Sequence, residues 1–212
     1  MPDQAALLAL ARRLVPPGVA VAAADPGRRY PLLAGEALPR AVPARLDEFS
    51  AGRHAARRSL LALGVAVAPI PMAEDRAPVW PAGVSGSITH SRSLCLAAAR
   101  RGPGLGLDLE PDEDLPADLW QTILTGQEAD WLRGHPEPGR AARLAFSAKE
   151  AAYKAQYAES RTLFGFDTLA LAFDGAGFTA TFRHPIAPFG QGHVLTGRWG
   201  RAAGHVLTVV TL

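Results

Sequence analysis

Lysine is nearly missing from this chain. Of its 22 basic residues only Lys149 and Lys154 are lysine, and both fall in one short stretch, FSAKEAAYKA. Arginine fills the other 20 basic positions. With 21 Gly, 18 Pro and abundant Ala, that bias resembles the codon usage of a GC-rich genome, so the two lysines are the exceptions that need a reason. Cysteine is scarcer still. Cys95, alone in the apolar run SLCLAAA, rules out a disulfide scaffold within the chain and fits a buried thiol in a reducing cytoplasm. A net charge of only +2 argues against a nucleic-acid partner. No segment has the roughly 20 apolar residues of a membrane span. The opening MPDQAALLALARRL, with Asp3 near its start and Arg12 and Arg13 after a short apolar stretch, reads as an amphipathic helix and not a secretory signal. Internal repeats and low-complexity segments are also missing.

What is present can bury a core. A chain of 212 residues, 48% hydrophobic, supports one domain or two halves of about a hundred residues each. Leu46, Phe49, Ala56, Leu60 and Leu63 predict a helix over 44–64 that stops at Gly64. Residues 65–82, rich in Pro and Ala, predict an ordered loop, and VSGSITHSRSLCLAAAR predicts two short strands about a turn near 91–93. RGPG at 101–104 is the break between halves, giving 1–103 and 104–212. LGLDLEP then alternates as a strand, with Leu105, Leu107 and Leu109 on one face and Asp108 and Glu110 on the other. One or two helices over 116–133, a break at PEPG, a long helix over 140–158 and three or four antiparallel strands complete the second half.

Two carboxylates two residues apart on a strand present their oxygens from one face, close enough to share a hard cation. Glu150 is the candidate third ligand, and Lys154, one helical turn on, places an ammonium on the same face. Taken alone, these residues read equally as a solvated strand face and an ordinary surface pair. GSITHS puts His90 on a short polar loop after a glycine, and Arg53 and Arg57 lie one turn apart in GRHAARRSL. Together the groups suggest a ligand with phosphates at two separated places.

The order GRHAARRSLLALG, RAPVWPAGVSGSITHS, GLGLDLEP, then FSAKEAAYKA followed by FGF strongly resembles the 4'-phosphopantetheinyl transferases of the surfactin type, within them the enterobactin-synthetase-like group. The likeness runs over about residues 44–170. It implies an α+β fold: a pseudo-dimer of two similar halves, each an antiparallel sheet packed with a long helix, with the active site in the cleft between them. It also implies transfer of the 4'-phosphopantetheine arm of coenzyme A to a serine of an apo acyl, peptidyl or aryl carrier protein, releasing adenosine 3',5'-bisphosphate. Asp108, Glu110 and Glu150 would bind Mg2+ or Mn2+, with Asp108, Glu150 and Lys154 in the catalytic role. His90 and Thr89, helped by Arg57 and Arg53, would hold the 3'-phosphate in the half 1–103. Lys149 and Lys154 would lie by the pyrophosphate in the half 104–212, and Arg76 would also reach phosphate. A cytoplasmic monomer without nucleic-acid or membrane partners is expected. A magnesium-dependent phosphohydrolase acting on coenzyme A or a nucleotide is the alternative.

Overall fold

The computed structural model describes residues 2–212. Its spine is a strand laid along a helix. Strand β4, Leu105–Pro111, runs antiparallel to helix α5, Pro138–Ser160, and the two sit unusually close. A Cβ at Gly106 would overlap the carbonyl oxygen of Ala151, and one at Gly104 would overlap that of Ala155. The register continues beyond the glycines: Ser147 Oγ donates to the Asp108 carbonyl at 3.4 Å, and Arg143 meets Glu110. It holds because two strand residues advance about 6.6 Å and four helical residues about 6.0 Å, so each step down the strand meets one turn of the helix. Small residues on the helix side, Ala148, Ala151, Ala152 and Ala155, are all fully buried and keep the gap narrow.

Strand β4 forms the edge of a five-stranded antiparallel sheet, order β4-β8-β7-β6-β5, with β5 Leu169–Asp174, β6 Gly177–Phe182, β7 Val194–Ala202 and β8 His205–Thr211. The first half holds a three-stranded antiparallel sheet, order β1-β3-β2, with β1 Ala20–Ala24, β2 Val84–His90 and β3 Cys95–Arg101, covered by helix α2, Pro43–Ala62. Strand β1 went unforeseen. Its sequence, AVAAA, is nearly all alanine, which has little preference for strands, and only pairing with β3 makes it one. Residues 116–133 divide into a short 3-10 turn, Ala117–Leu119, and helices α3, Trp120–Ile123, and α4, Gly126–Arg133.

The two sheets meet at the edges β2 and β4. The amides of Leu107 and Leu109 donate to Ser87 Oγ and Thr89 Oγ1, both at 3.0 Å, so side-chain hydroxyls replace the ladder carbonyls across the seam. Helix α1, Pro2–Leu14, then covers the seam. Its Leu7, Leu10 and Leu14 share one core with Leu96 of β3, with Leu105, Leu107 and Leu109 of β4, and with Leu207 and Val209 of β8. Leu10 also lies against Gly200 of β7. By packing, therefore, the first helix serves both sheets.

Replacing Gly106 by Ala forces α5 off β4. We expect Gly106→Ala to lose at least ~2 kcal/mol of stability, whereas Gly126→Ala, where a Cβ meets nothing within 4 Å, should stay within about 0.5 kcal/mol. Urea midpoints of the two variants check this.

Candidate active site

Asp108 and Glu110 leave β4 on the face covered by α5, and that helix answers with alternating charge. Lys154 Nζ donates to Asp108 Oδ1 at 2.6 Å and to the Leu107 carbonyl at 3.2 Å. Glu150 lies one turn back on the same face. Two turns further back, Arg143 Nη1 donates to Glu110 Oε2 at 3.0 Å, while its other nitrogens reach the carbonyls of Glu113 and Asp114. Three carboxylates thus share two cations.

Burial decides how these groups hold protons. It pushes the Glu110 carboxyl up to about 7, with the Asp108 charge adding to the effect and Arg143 and Lys154 opposing it. Glu150 is also raised, by burial, with Lys154 opposing and Asp108 adding. For Lys154 burial works against the ammonium, but Asp108, Glu150 and Glu110 outweigh it and hold the group above its ordinary value. One oxygen of the cluster stands apart: Asp108 Oδ2 is buried with no hydrogen-bond partner among the described residues. A buried carboxylate oxygen left bare is costly, and a hard cation would satisfy it. With Glu110 and Glu150 alongside, the donor set suits magnesium. Among the described residues no three His, Cys, Asp or Glu already stand at metal-holding spacing. Lys154 and Arg143 share the carboxylates instead.

Across the seam, His90 ends β2. Arg45 Nη1 donates to its Nε2 at 3.0 Å and pairs with Glu48 at 2.9 Å, which leaves the His90 proton on Nδ1. Burial is the main cause lowering the His90 pKa; Arg45 and Lys154 lower it further against Glu48 and Asp108. His90 is thus near enough to feel the carboxylate cluster. A tight turn at 73–77 overhangs the cleft from the first half, with Arg76 in a left-handed conformation, φ 71°. The Tyr157 hydroxyl of α5 donates to the Asp75 carboxylate, so this turn touches the second half. Below it lies a cavity of about 280 Å³ whose lining includes Arg76, Ser87, Tyr153 and Lys154. A second cavity, about 170 Å³ and mainly apolar, adjoins Glu150 and is walled by Lys149, Tyr153, Phe164, Phe166 and Leu169.

Asp108, Glu110, Glu150 and Lys154 are therefore together, with His90 close by and Arg76 facing Lys154 over a cavity. Four expected members are not with them. Lys149 points away because five residues are about 140° apart round a helix; its Nζ is buried against Glu128 at 2.8 Å. The Arg57 guanidinium is taken by the buried Glu36 and by the Pro31 carbonyl. Thr89 faces β4, opposite to His90, and its hydroxyl oxygen holds the Leu109 amide. Arg53 is buried across the Phe49 ring, 4.2 Å from its centre, with Nε on the Ile70 carbonyl at 2.7 Å. Arg45, Arg143, Glu36 and Glu128 escaped notice in the sequence. Only Arg45 left a signal there: it stands on the i, i+4 stripe Arg45, Phe49, Arg53, Arg57 of α2.

A buried carboxylate cluster with an ammonium on it, and a guanidinium–imidazole pair across the seam, has the chemistry to meet a polyphosphate. Known proteins agree. Residues 34–100 match the model of the 4'-phosphopantetheinyl transferase N-terminal domain, and residues 104–210 match that of the 4'-phosphopantetheinyl transferase superfamily. The chain is 38% identical over 184 residues to the 4'-phosphopantetheinyl transferase Svp of Streptomyces mobaraensis, covering 82% of this chain and 74% of that protein. It is 36% identical over 185 residues to the 4'-phosphopantetheinyl transferase PptT of Mycobacterium tuberculosis, covering 82% of each. It is 32% identical over 171 residues to enterobactin synthase component D of Salmonella typhi, covering 79% and 72%. The chain belongs to the 4'-phosphopantetheinyl transferase superfamily.

The raised Glu110 carboxyl has a consequence for stability. With a folded value near 7 against an ordinary 4.5, the folded chain keeps a proton that the unfolded chain has lost. This group therefore lowers stability as pH rises from about 4.5 to about 7, with no further loss above. In thermal melts without added metal, Glu110→Gln should match the parent near pH 4.5 and melt higher than the parent at pH 8. A parent and variant that differ equally at both pH values would refute the shift.

Proposed function

We propose that the cleft between the two sheets binds coenzyme A with its 3'-phosphate on Arg45 and His90 and its pyrophosphate beside Lys154 and Arg76. The observation that carries this is the bare, buried Asp108 Oδ2 lying beside a paired Lys154 at the seam. As a 4'-phosphopantetheinyl transferase, the protein moves the 4'-phosphopantetheine arm of coenzyme A to a carrier protein. Asp108, Glu110 and Glu150 are the residues that would hold Mg2+, which supplies charge neutralisation on the pyrophosphate when bound. The half 1–103 would grip the nucleotide end and 104–212 the reacting end. The apolar cavity beside Glu150 suits the arm, whose length is uncharged.

In this arrangement the protein's own groups do the following. The carrier serine Oγ forms a bond to the phosphorus bearing the arm as the bond to the bridging oxygen breaks, and adenosine 3',5'-bisphosphate leaves. Glu150, whose proton affinity is raised by burial, accepts the serine proton. Lys154, kept charged by its carboxylate neighbours, stabilises the phosphate as charge shifts to the leaving oxygen. Burial lowers the His90 pKa, and an arriving phosphate would oppose that shift while Arg45 donates beside it. Arg76 leans on the same anion from the overhanging turn. The protein would act as a cytoplasmic monomer on an acyl, peptidyl or aryl carrier in secondary metabolite biosynthesis.

Apo carrier domains of the three kinds, incubated with coenzyme A and Mg2+, should each gain one phosphopantetheine by mass spectrometry if they are substrates. Asp108→Asn and Glu150→Gln should cut that rate about a hundredfold or more while circular dichroism stays unchanged. Bisphosphate released at full rate without a carrier would instead mark a hydrolase.

The 3'-phosphate assignment is checked by affinity. Arg45→Ala and His90→Ala should each weaken coenzyme A roughly tenfold or more and leave dephospho-coenzyme A nearly unaffected. Arg57→Met should instead lower stability by ~3–5 kcal/mol, because it leaves Glu36 buried without its cation. Calorimetric titration of the first two variants and urea unfolding of the third separate binding from structure.

A further inference from the structure

Lys149 has three N–H donors, and three acceptors meet them: Glu128 Oε2 at 2.8 Å, the Ile123 carbonyl at 2.7 Å and the Phe166 carbonyl at 2.9 Å. Both side chains of the pair are 1% exposed. Nothing is left over for a phosphate. Glu128 is equally committed, since Oε2 also accepts the Thr125 amide at 2.6 Å and Oε1 accepts the Leu171 amide at 2.7 Å. Lys149 therefore ties α5 to Phe166, and Glu128 ties the start of α4 to Leu171. Between those two anchor points lie Phe166 and Leu169, half of the residues that this segment gives to one wall of the apolar cavity, with Phe164 and Gly165 just before them. Lys149 itself lines that cavity beside Glu150.

We propose that the buried Glu128–Lys149 pair is a positioning device of the transferase, fixing the wall of the arm cavity relative to Glu150, and that Lys149 does not touch phosphate. The proposal rests on the assignment of that cavity to the pantetheine arm. Glu128 and Lys149 act through the wall, so they set where the arm, and with it the reacting phosphorus, comes to rest. A compact ammonium suits a socket with three acceptors converging on one point; a planar guanidinium would bring more donors than the socket has acceptors and spread them too widely. One of the two lysines in an arginine-rich chain thereby has its reason.

Two ligands separate the roles: coenzyme A itself, and 3'-phosphoadenosine 5'-diphosphate, which keeps every phosphate and lacks the arm. Titrated with Mg2+ present, Lys149→Met should bind coenzyme A about tenfold more weakly and the diphosphate as the parent does. The double variant Glu128→Gln with Lys149→Met leaves no buried charge unpaired. It should melt above the single variant while showing the same selective loss, and it serves in its place if the single variant does not fold. A merely structural pair would lower the melting temperature and leave the ratio of the two affinities unchanged. Equal weakening of both ligands would make Lys149 a phosphate ligand. Either result overturns the proposal. Phe164→Trp crowds the cavity without touching the pair, and should also weaken coenzyme A selectively. If it fails to, the arm assignment falls; if it succeeds while the Lys149 variants show no selectivity, only the positioning role falls.

Discussion

The approach of β4 to α5 through Gly104 and Gly106 is the constraint on which the rest depends. Without side chains at these positions, strand and helix backbones come within van der Waals contact, and the matched pitch of strand and helix puts Asp108 and Glu110 opposite Ser147 and Arg143. A wider gap would separate Lys154 from Asp108. The same closeness buries the carboxylates, which raises Glu110 and Glu150 and strengthens their attraction for any cation that replaces the protons. Packing and chemistry here share one cause.

Helix α5 carries both charges locked into the fold and charges at the cleft, and rotation about its axis sorts them. Arg143, Glu150 and Lys154 share the face toward β4, with Ser147 between them. Lys149 falls on the side of α4, where the local environment is closed and its charge is matched by Glu128. In α2 position along the axis does the sorting: Arg45 and Arg57 stand on one stripe about 18 Å apart, and Arg45 reaches His90 while Arg57 is locked to Glu36. A buried ion pair of this kind adds little net stability over an apolar pair, yet losing one partner is severe. Arg57 and Lys149 therefore look functional by mutation even where they touch no ligand.

Much of the fold was legible because its signals are local. Alternation in LGLDLEP, the apolar stripe of α2 and the turn glycines each act over a few residues, and the strands and helices that they announce are present. Strand β1 was not legible, since five residues that are nearly all alanine announce nothing until β3 pairs with them. The carboxylates and Lys154 could be read because one strand and one helix carry them at fixed spacing. Thr89 could not be separated from His90 in role, because adjacency in a strand means opposite faces, and which face looks into the cleft depends on the neighbouring sheet.

The sequence by itself determined that two carboxylates share a strand face and that Glu150 and Lys154 share a helix face, and its motifs pointed to the family. Only the tertiary structure decided which cations are locked into buried pairs and which are left at the cleft. Residue type and spacing place a charge on a helix face. Whether that charge is free depends on the partner that packing brings to it, and Glu36 and Glu128 come from segments 21 residues away from the cations that they hold, as counted for Arg57 and Glu36 and for Lys149 and Glu128 alike. Nothing in the local pattern of GRHAARR or SAKEAAYKA carries that information, since a long-range ion pair is set by the way elements stack and not by the residues on either side of the charge.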